Sequence, residues 1–148
     1  MSTAYKIPVS VLVVIYTPDL QVLLMERADH PGYWQSVTGS QNPGENLRQT
    51  AIREVAEETG LDATQYELSD CNQQNRYTIY PEWRHRYAPG VASNTEHVWR
   101  LQLPAPRPII LAAREHLRYS WLSYQEAAQR CFSPSNAQAI LLLPKSLI

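Results

Sequence analysis

From Pro8 the chain runs through Val9-Ser10-Val11-Leu12-Val13-Val14-Ile15-Tyr16, a nearly unbroken apolar stretch rich in β-branched residues. Such a run predicts a buried strand, with the proline at its entrance, where a missing N–H does least harm. A turn at Thr17, Pro18 and Asp19 follows, and Val22 to Met25 reads as a second strand paired with the first. Pro31-Gly32 breaks the chain before Trp34 to Thr38 resumes an extended course. The period then changes. Leu47, Ala51, Ile52 and Val55 lie at spacings that give an apolar stripe, predicting a helix from about Asn46 to Thr59. Pro43-Gly44 leads into it and Gly60 closes it, as helix ends prefer. Beyond it, Tyr66 to Asp70, Arg76 to Tyr80, Glu96 to Leu103 and Leu117 to Leu122 are strand-like, while Ser123 to Arg130 and Ser135 to Leu143 read as helices. Pro104, Pro106 and Pro108 make a short stiff loop rather than a domain linker, and no internal repeat or low-complexity segment interrupts the pattern. Strands broken by one strong helix and finished by others predict an α/β fold, a mixed sheet covered by helices.

Length and charge narrow the picture. A chain of 148 residues with 44% apolar content builds one core without disulfides, so a single domain over 1–148 is expected. Thirteen basic against 14 acidic residues leave a net charge of -1, which gives no global field for nucleic acid or an anionic membrane. Cys71 and Cys131 match neither a metal spacing nor a redox pair and are expected to be reduced core thiols. The apolar run Val9 to Ile15 is too short to span a bilayer, and no cationic leader with a cleavage site precedes it, so a soluble, cytoplasmic protein is expected.

The chemistry sits on the helix. At about 100° per residue, Glu54 and Glu58 lie about 40° apart around its axis, with Glu57 about 60° from Glu54 on the other side. Three carboxylates on a helix are ordinarily a solvated face. Two such charges at about 4 Å repel by about 4 kcal/mol at an effective dielectric near 20, so a cluster held close to the protein needs cations. Arg53 supplies one, a turn before Glu57. A divalent ion is the stronger counter-charge, and all-oxygen ligands suit magnesium, or manganese, better than zinc. Magnesium keeps waters and bridges phosphates, which makes phosphoryl chemistry the natural use of such a face.

The residues around the helix point to a family. Gly39, then five residues, Glu45, then seven residues, then Arg53-Glu54-Val55-Ala56-Glu57-Glu58-Thr59-Gly60-Leu61 resembles the Nudix box at every fixed position. The resemblance implies a Nudix hydrolase: an α/β/α sandwich with a mixed sheet, and cleavage of a phosphoanhydride next to an organic group. It implies that Glu54, Glu57 and Glu58 are metal ligands or the water-activating base, with Gly39 letting the backbone approach the ion. Glu45 and Arg53 would brace the loop and helix, Gly44 turns the loop into the helix, Gly60 ends it, and Val55 and Leu61 suit packing.

A narrower resemblance covers most of the chain. Trp34-Gln35-Ser36-Val37-Thr38-Gly39-Ser40, Arg84-His85-Arg86-Tyr87-Ala88-Pro89-Gly90, Asn94-Thr95-Glu96 and Glu115-His116-Leu117 are similar to the bacterial Nudix group that removes pyrophosphate from dihydroneopterin triphosphate in folate synthesis. That resemblance implies a pterin triphosphate substrate and makes Glu115 a further metal ligand from a distant loop, with His116 beside it structural or exposed. Lys6 and Arg27 flank early strands and suit charge-assisted bonds to a triphosphate. Thr38, just before Gly39, offers a hydroxyl to phosphate or pterin. Tyr77, Ile79 and Tyr80, with Trp34, suit an apolar wall for a flat pterin. Trp83 to Tyr87 mixes basic and aromatic residues and is expected as a loop near the phosphates, while Ser133 and Asn136 are candidate polar contacts. Two rivals remain: a pyrophosphatase of nucleoside triphosphates or dinucleoside polyphosphates, and a Nudix-fold nucleotide sensor, which would be expected to have lost box carboxylates. The oligomeric state is left open.

Overall fold

The computed structural model describes residues 5–146. The domain expected from the sequence runs 1–148, of which 1–4 and 147–148 lie outside the described residues. Among the described residues, seven strands form one mixed sheet: β1 Val9–Tyr16, β2 Gln21–Arg27, β3 Trp34–Gln35, β4 Val37–Ser40, β5 Glu67–Thr78, β6 Ser93–Gln102 and β7 His116–Ser123. The helices are α1 Leu47–Thr59, α2 Tyr124–Arg130, α3 Pro134–Leu141 and α4 Leu143–Ser146, with short 3-10 helices at Ala63–Gln65 and Pro81–Arg86.

Strand β1 is the centre, as its apolar run requires. It pairs parallel with β6 along its whole length, from Val9 opposite Thr95 to Tyr16 opposite Gln102. A parallel pair needs a long crossover, and α1 and β5 lie within it. On its other side β1 meets β2 only at Tyr16 and Val22, because β4 pairs with β1 and β3 with β2, so residues 34–40 enter between two diverging strands. That wedge carries Thr38 and Gly39 into the middle of the sheet.

Alternate residues of β1 feed two cores. Val11, Val13 and Ile15 pack with Ala51 and Val55 of α1, while Leu12, Val14 and Tyr16 pack with Ala127, Ala139 and Ile140 of α2 and α3. A sheet buried on both faces explains why β1 reads as continuous rather than alternating. Cys71 and Cys131 are free thiols, half-buried at the fringe of the second core.

Strand β5 corrects the reading of two separate strands over Tyr66 to Asp70 and Arg76 to Tyr80. It is one long edge strand, antiparallel to β6, whose register shifts between Asp70 and Gln73 with Asn72 at φ 53°. Its middle is polar and faces solvent on alternate residues, so no hydrophobic pattern marked it.

Helix α1 starts at Asn46, whose side chain accepts the Gln49 N–H at 2.8 Å while the Gln49 side chain accepts the Asn46 N–H at 2.9 Å. Gly60 ends the helix at φ 75°, where its N–H reaches the Ala56 carbonyl. A reciprocal cap of this kind satisfies two donors that would otherwise be orphaned. Asn46→Ala is therefore expected to lower unfolding free energy by about 1 kcal/mol, read as a lower urea midpoint at unchanged slope. An unaltered midpoint would show that the cap does not anchor the helix.

Candidate active site

The inward face of α1 is not wholly apolar. Glu54 is 8% exposed and Glu58 1%, in the same stripe as Ala51 and Val55. The solvated-face alternative therefore does not hold for these two. Glu57 differs: its side chain is half exposed and is held by Arg53 Nη1 at 3.3 Å.

Arg53 organises the loop ahead of the helix. Its Nε donates to Glu45 Oε2 at 2.7 Å, its Nη2 to Glu45 Oε1 at 3.0 Å and to the Ser40 carbonyl at 2.8 Å, and its Nη1 to Glu54 at 2.6 Å. Glu45 also accepts from the Asn42 N–H at 2.8 Å and the Thr50 hydroxyl at 3.0 Å. The Arg53 guanidinium, then these two donors, hold the Glu45 carboxyl down at about 2. The bracing expected of Glu45 and Arg53 is thus visible as a bidentate pair, the strong form of such contacts.

Gly39 lies directly under the Glu54 carboxylate, where a Cβ would overlap it. Its backbone angles demand no glycine; the close approach does. Glu58 accepts the Thr38 N–H, but its Oε1 is buried with no hydrogen-bond partner. Burial above all pushes the Glu58 carboxyl well up, and the neighbouring Glu54 and Glu115 carboxylates add to it. Glu54 is also raised, by burial first, despite its Arg53 contact. Two acids this close and this dry are relieved only by a shared proton or a cation.

A loop closes the cluster from the other side. Glu115, which precedes β7, brings an oxygen within 4.8 Å of ligand atoms of both Glu58 and His116. Its place is fixed by the backbone, since its carbonyl accepts the Ala28 N–H at 2.8 Å. His116 is buried, with Nε2 3.7 Å from Glu58 and Nδ1 unpartnered. Burial lowers its pKa to about 4, so it stands neutral beside Glu58 and forms no ion pair. The buried, donorless Glu58 Oε1 and the exposed Glu115 carboxylate, converging from a helix and a loop beside the neutral His116, suit a hard divalent cation.

These carboxylates line one cavity of about 1000 Å³, into which Lys6, Arg27, Thr38, Tyr77, Tyr80, Ser133 and Asn136 also face. Several of the sequence candidates are already committed there. Arg27 clamps Asp29 with bonds of 2.7 Å from Nε and Nη2, gives Nη1 to Gln35 at 3.1 Å, and lies over the Trp83 ring at 4.6 Å. The Asn136 amide is joined to Ser36 at 2.9 and 3.0 Å, and Ser133 caps α3 through the Asn136 N–H at 3.4 Å. Both help shape the wall more than they offer free donors. The Lys6 ammonium is pushed down by burial and by Arg86, while Glu54 and Glu115 pull the other way. Ile79 and the 3-10 residues Trp83 and Arg86 are in the wall too. Trp34 is a correction: it does not line the cavity, and its ring lies 5.6 and 5.4 Å from the guanidinium carbons of Arg118 and Arg130. Asn75 and Arg114 line the cavity without a sequence signal; Asn94 and Glu96 line it too, and lay in a resembling segment but were not singled out as site residues.

The NUDIX domain sequence model matches residues 6–143. The chain is 50% identical over 139 residues to the dihydroneopterin triphosphate diphosphatase of Escherichia coli (strain K12), covering 92% of this chain and 91% of that protein. It is 42% identical over 139 residues to the Haemophilus influenzae protein of the same name, covering 92% and 87%. Among solved structures, the E. coli dihydroneopterin triphosphate pyrophosphohydrolase matches with a TM-score of 0.87 at 49% identity, over 93% of this chain and 95% of that one.

Two outcomes follow from the buried acids. Glu58 has a folded pKa above its ordinary 4.5, so its burden is absent below that value and grows as pH rises through the folded pKa. Without divalent ions, Glu58→Gln should match the parent's melting temperature near pH 4 and exceed it increasingly toward neutral pH; a variant less stable at neutral pH would contradict the reading. Gly39→Ala should displace the Glu54 carboxylate and weaken manganese binding by calorimetry with the helix content unchanged. Parent-like affinity would show that the close approach is irrelevant.

Proposed function

Because this chain belongs to the Nudix family, and is a Nudix hydrolase, we propose that it converts dihydroneopterin triphosphate and water to dihydroneopterin monophosphate and pyrophosphate. One observation carries the chemical half of the reading: Glu54, Glu58 and Glu115 converge beside Gly39 at a cavity large enough for a pterin triphosphate. The substrate half is supported by the 50% identity to the E. coli diphosphatase along most of both chains. A nucleotide sensor is disfavoured by the retention of Glu54, Glu57 and Glu58. No helix of the described residues is long and apolar enough to cross a membrane.

Nudix hydrolases generally use a divalent metal, and magnesium, with manganese able to replace it, fits the all-oxygen donors of Glu54, Glu58 and Glu115. Bound there, it would neutralise phosphate charge and make water a better nucleophile at neutral pH. Glu57 stands one residue from Glu58 on the solvent side and serves as a further ligand or as the base that takes the proton of the attacking water. Arg53 and Glu45 hold the helix and loop so that these carboxylates keep their spacing. Lys6, with Arg86 behind it, faces the phosphates; Thr38 donates through its hydroxyl and Arg27 fixes the rim through Asp29 and Trp83. Tyr77, Ile79 and Tyr80 form the apolar wall for the ring, completed by Ser133 and Asn136. Water attack and pyrophosphate departure follow from this positioning.

Purified protein with magnesium should hydrolyse dihydroneopterin triphosphate with a higher kcat/KM than dATP or a diadenosine polyphosphate. Mass analysis of products formed in heavy-oxygen water would report the phosphorus attacked. A nucleotide preferred over the pterin would overturn the substrate. Glu58→Gln should reduce turnover by roughly a thousandfold while remaining folded, the scale for losing a group that acts in the transition state. Near-normal turnover in that variant would remove Glu58 from the chemistry.

A further inference from the structure

A third buried carboxylate lies in the same cavity, on a different element, and the phosphate chemistry leaves it unused. In β6 the side chains alternate, and Asn94, Glu96 and Val98 are buried on one face. Glu96 is 5% exposed and Asn94 1%, and both line the cavity with Ser10, Asn75, Tyr77 and Ser135. This is the sheet face that carries α2 and α3, since Val98 belongs to that core.

The hydrogen bonding of this wall is unbalanced. Glu96 Oε1 accepts the Ser135 hydroxyl at 2.9 Å and the Asn75 amide at 3.5 Å, and neither bond uses Oε2. Its carboxyl is raised chiefly by burial, with only those two bonds lowering it, so no cation compensates it. Asn94 gives its Nδ2 donors to Ser10 Oγ at 2.7 Å and Tyr77 Oη at 3.2 Å, which leaves Oδ1 buried without any partner. The Tyr77 phenol, pushed up to about 12 by burial and then by Glu96, stays neutral and is already an acceptor for Asn94. Asn94 Oδ1 is thus a buried acceptor without a donor, and two residues away on the same strand face Glu96 keeps its Oε2 outside both of its hydrogen bonds. Native interiors rarely leave such a group unmatched unless water, an ion or a ligand supplies the partner.

We propose that Glu96, assisted by Asn94, reads the ring of the substrate by accepting two adjacent N–H donors from the amino and imide edge of a 2-amino-4-oxopyrimidine ring. Pterins and guanine share that edge, and the carboxylate meets it with two parallel bonds, one to the open Oε2 and one to Oε1 in place of the long 3.5 Å Asn75 contact, with the Ser135 bond kept; adenine and thymine lack it. The assignment rests on the proposed function for its choice of pterin over guanine, but not for the edge itself. Glu96 is a specificity residue here, at the ring end of a cavity whose phosphate end holds Glu54, Glu58 and Glu115. The competing role is purely structural: Ser135 is in the first turn of α3, so Glu96 also steadies that helix.

The test compares the full chain, Glu96→Gln and Ser135→Ala on dihydroneopterin triphosphate, dGTP, dATP and dTTP with magnesium. Glu96→Gln should lose roughly 10- to 100-fold in kcat/KM on the pterin and on dGTP, mainly through KM, and change little on dATP or dTTP. Ser135→Ala, which removes the bond to Glu96 and the 3.1 Å contact with Ser133 Oγ but leaves the carboxylate, should keep the parent's ring preference. A ligand-side comparison needs no variant: phosphate-free neopterin should bind the parent protein roughly tenfold or more tightly than its 2-oxo analogue by calorimetry. Equal losses on all four substrates, or equal binding of the two ring compounds, would overturn the proposal. If the parent ignores the pterin triphosphate yet Glu96→Gln still costs dGTP and spares dATP, the substrate assignment fails and the edge assignment stands. If the parent prefers the pterin and Glu96→Gln leaves that preference intact, the edge assignment fails alone.

Discussion

The constraint behind this architecture is the burial of like charges. Glu54 and Glu58 share the inward stripe of α1 with Ala51 and Val55, in contact with each other and with Glu115 close by. Fully burying an aliphatic side chain contributes about 1.5–3 kcal/mol, and the apolar positions of β1 and α1 keep the helix seated in spite of the acids. The remaining features secure that arrangement. The Asn46 and Gly60 caps fix both ends of the helix, the Arg53–Glu45 pair ties it to the preceding loop, and Gly39 leaves the gap into which the Glu54 carboxylate fits. Stability given up at this face is what a site for a cation and a polyphosphate requires.

The cavity divides by chemistry. On one side the carboxylates of Glu54, Glu58 and Glu115 crowd together, with Arg53 on Glu54 and Lys6 and Arg86 near; on the other are neutral donors, phenols and the Glu96 carboxylate. The sheet joins the two ends. Because β4 inserts beside β1 while β6 runs parallel on its far side, Gly39 and Glu96 pair with neighbouring residues of the same strand, Val11 and Ser10. One short stretch of β1 therefore sets the distance between the two ends, and its continuous burial makes that distance rigid.

Much of this was legible in the sequence, for physical reasons. The α1 helix and its caps follow from local rules, and the box fixes residue types at set spacings, so Glu45, Arg53 and the three glutamates could be read directly. Glu115 was found through its neighbours in a resembling segment, and the loop before β7 does bring it to Glu58. The inward burial of Glu54 and Glu58 was less visible, since the same periodicity serves a solvated face. Trp34 was misread because an aromatic in a strand gives the same pattern against a ligand as between Arg118 and Arg130, which are distant in sequence. Glu96 and Asn94 lay in a resembling segment but were not singled out as site residues, because their significance lies in hydrogen bonding that only the assembled wall defines. Strand β5 was split in two by its polar middle and its bulge.

Calorimetry of magnesium binding at about pH 6, repeated in buffers of different ionisation enthalpy, addresses the buried acids most directly. A pair holding a proton well above the usual carboxylate range must surrender it when a cation enters, so the heat should depend on the buffer and report proton release that fades as pH rises. Binding with no proton release near pH 6, or no binding at all, would contradict the account.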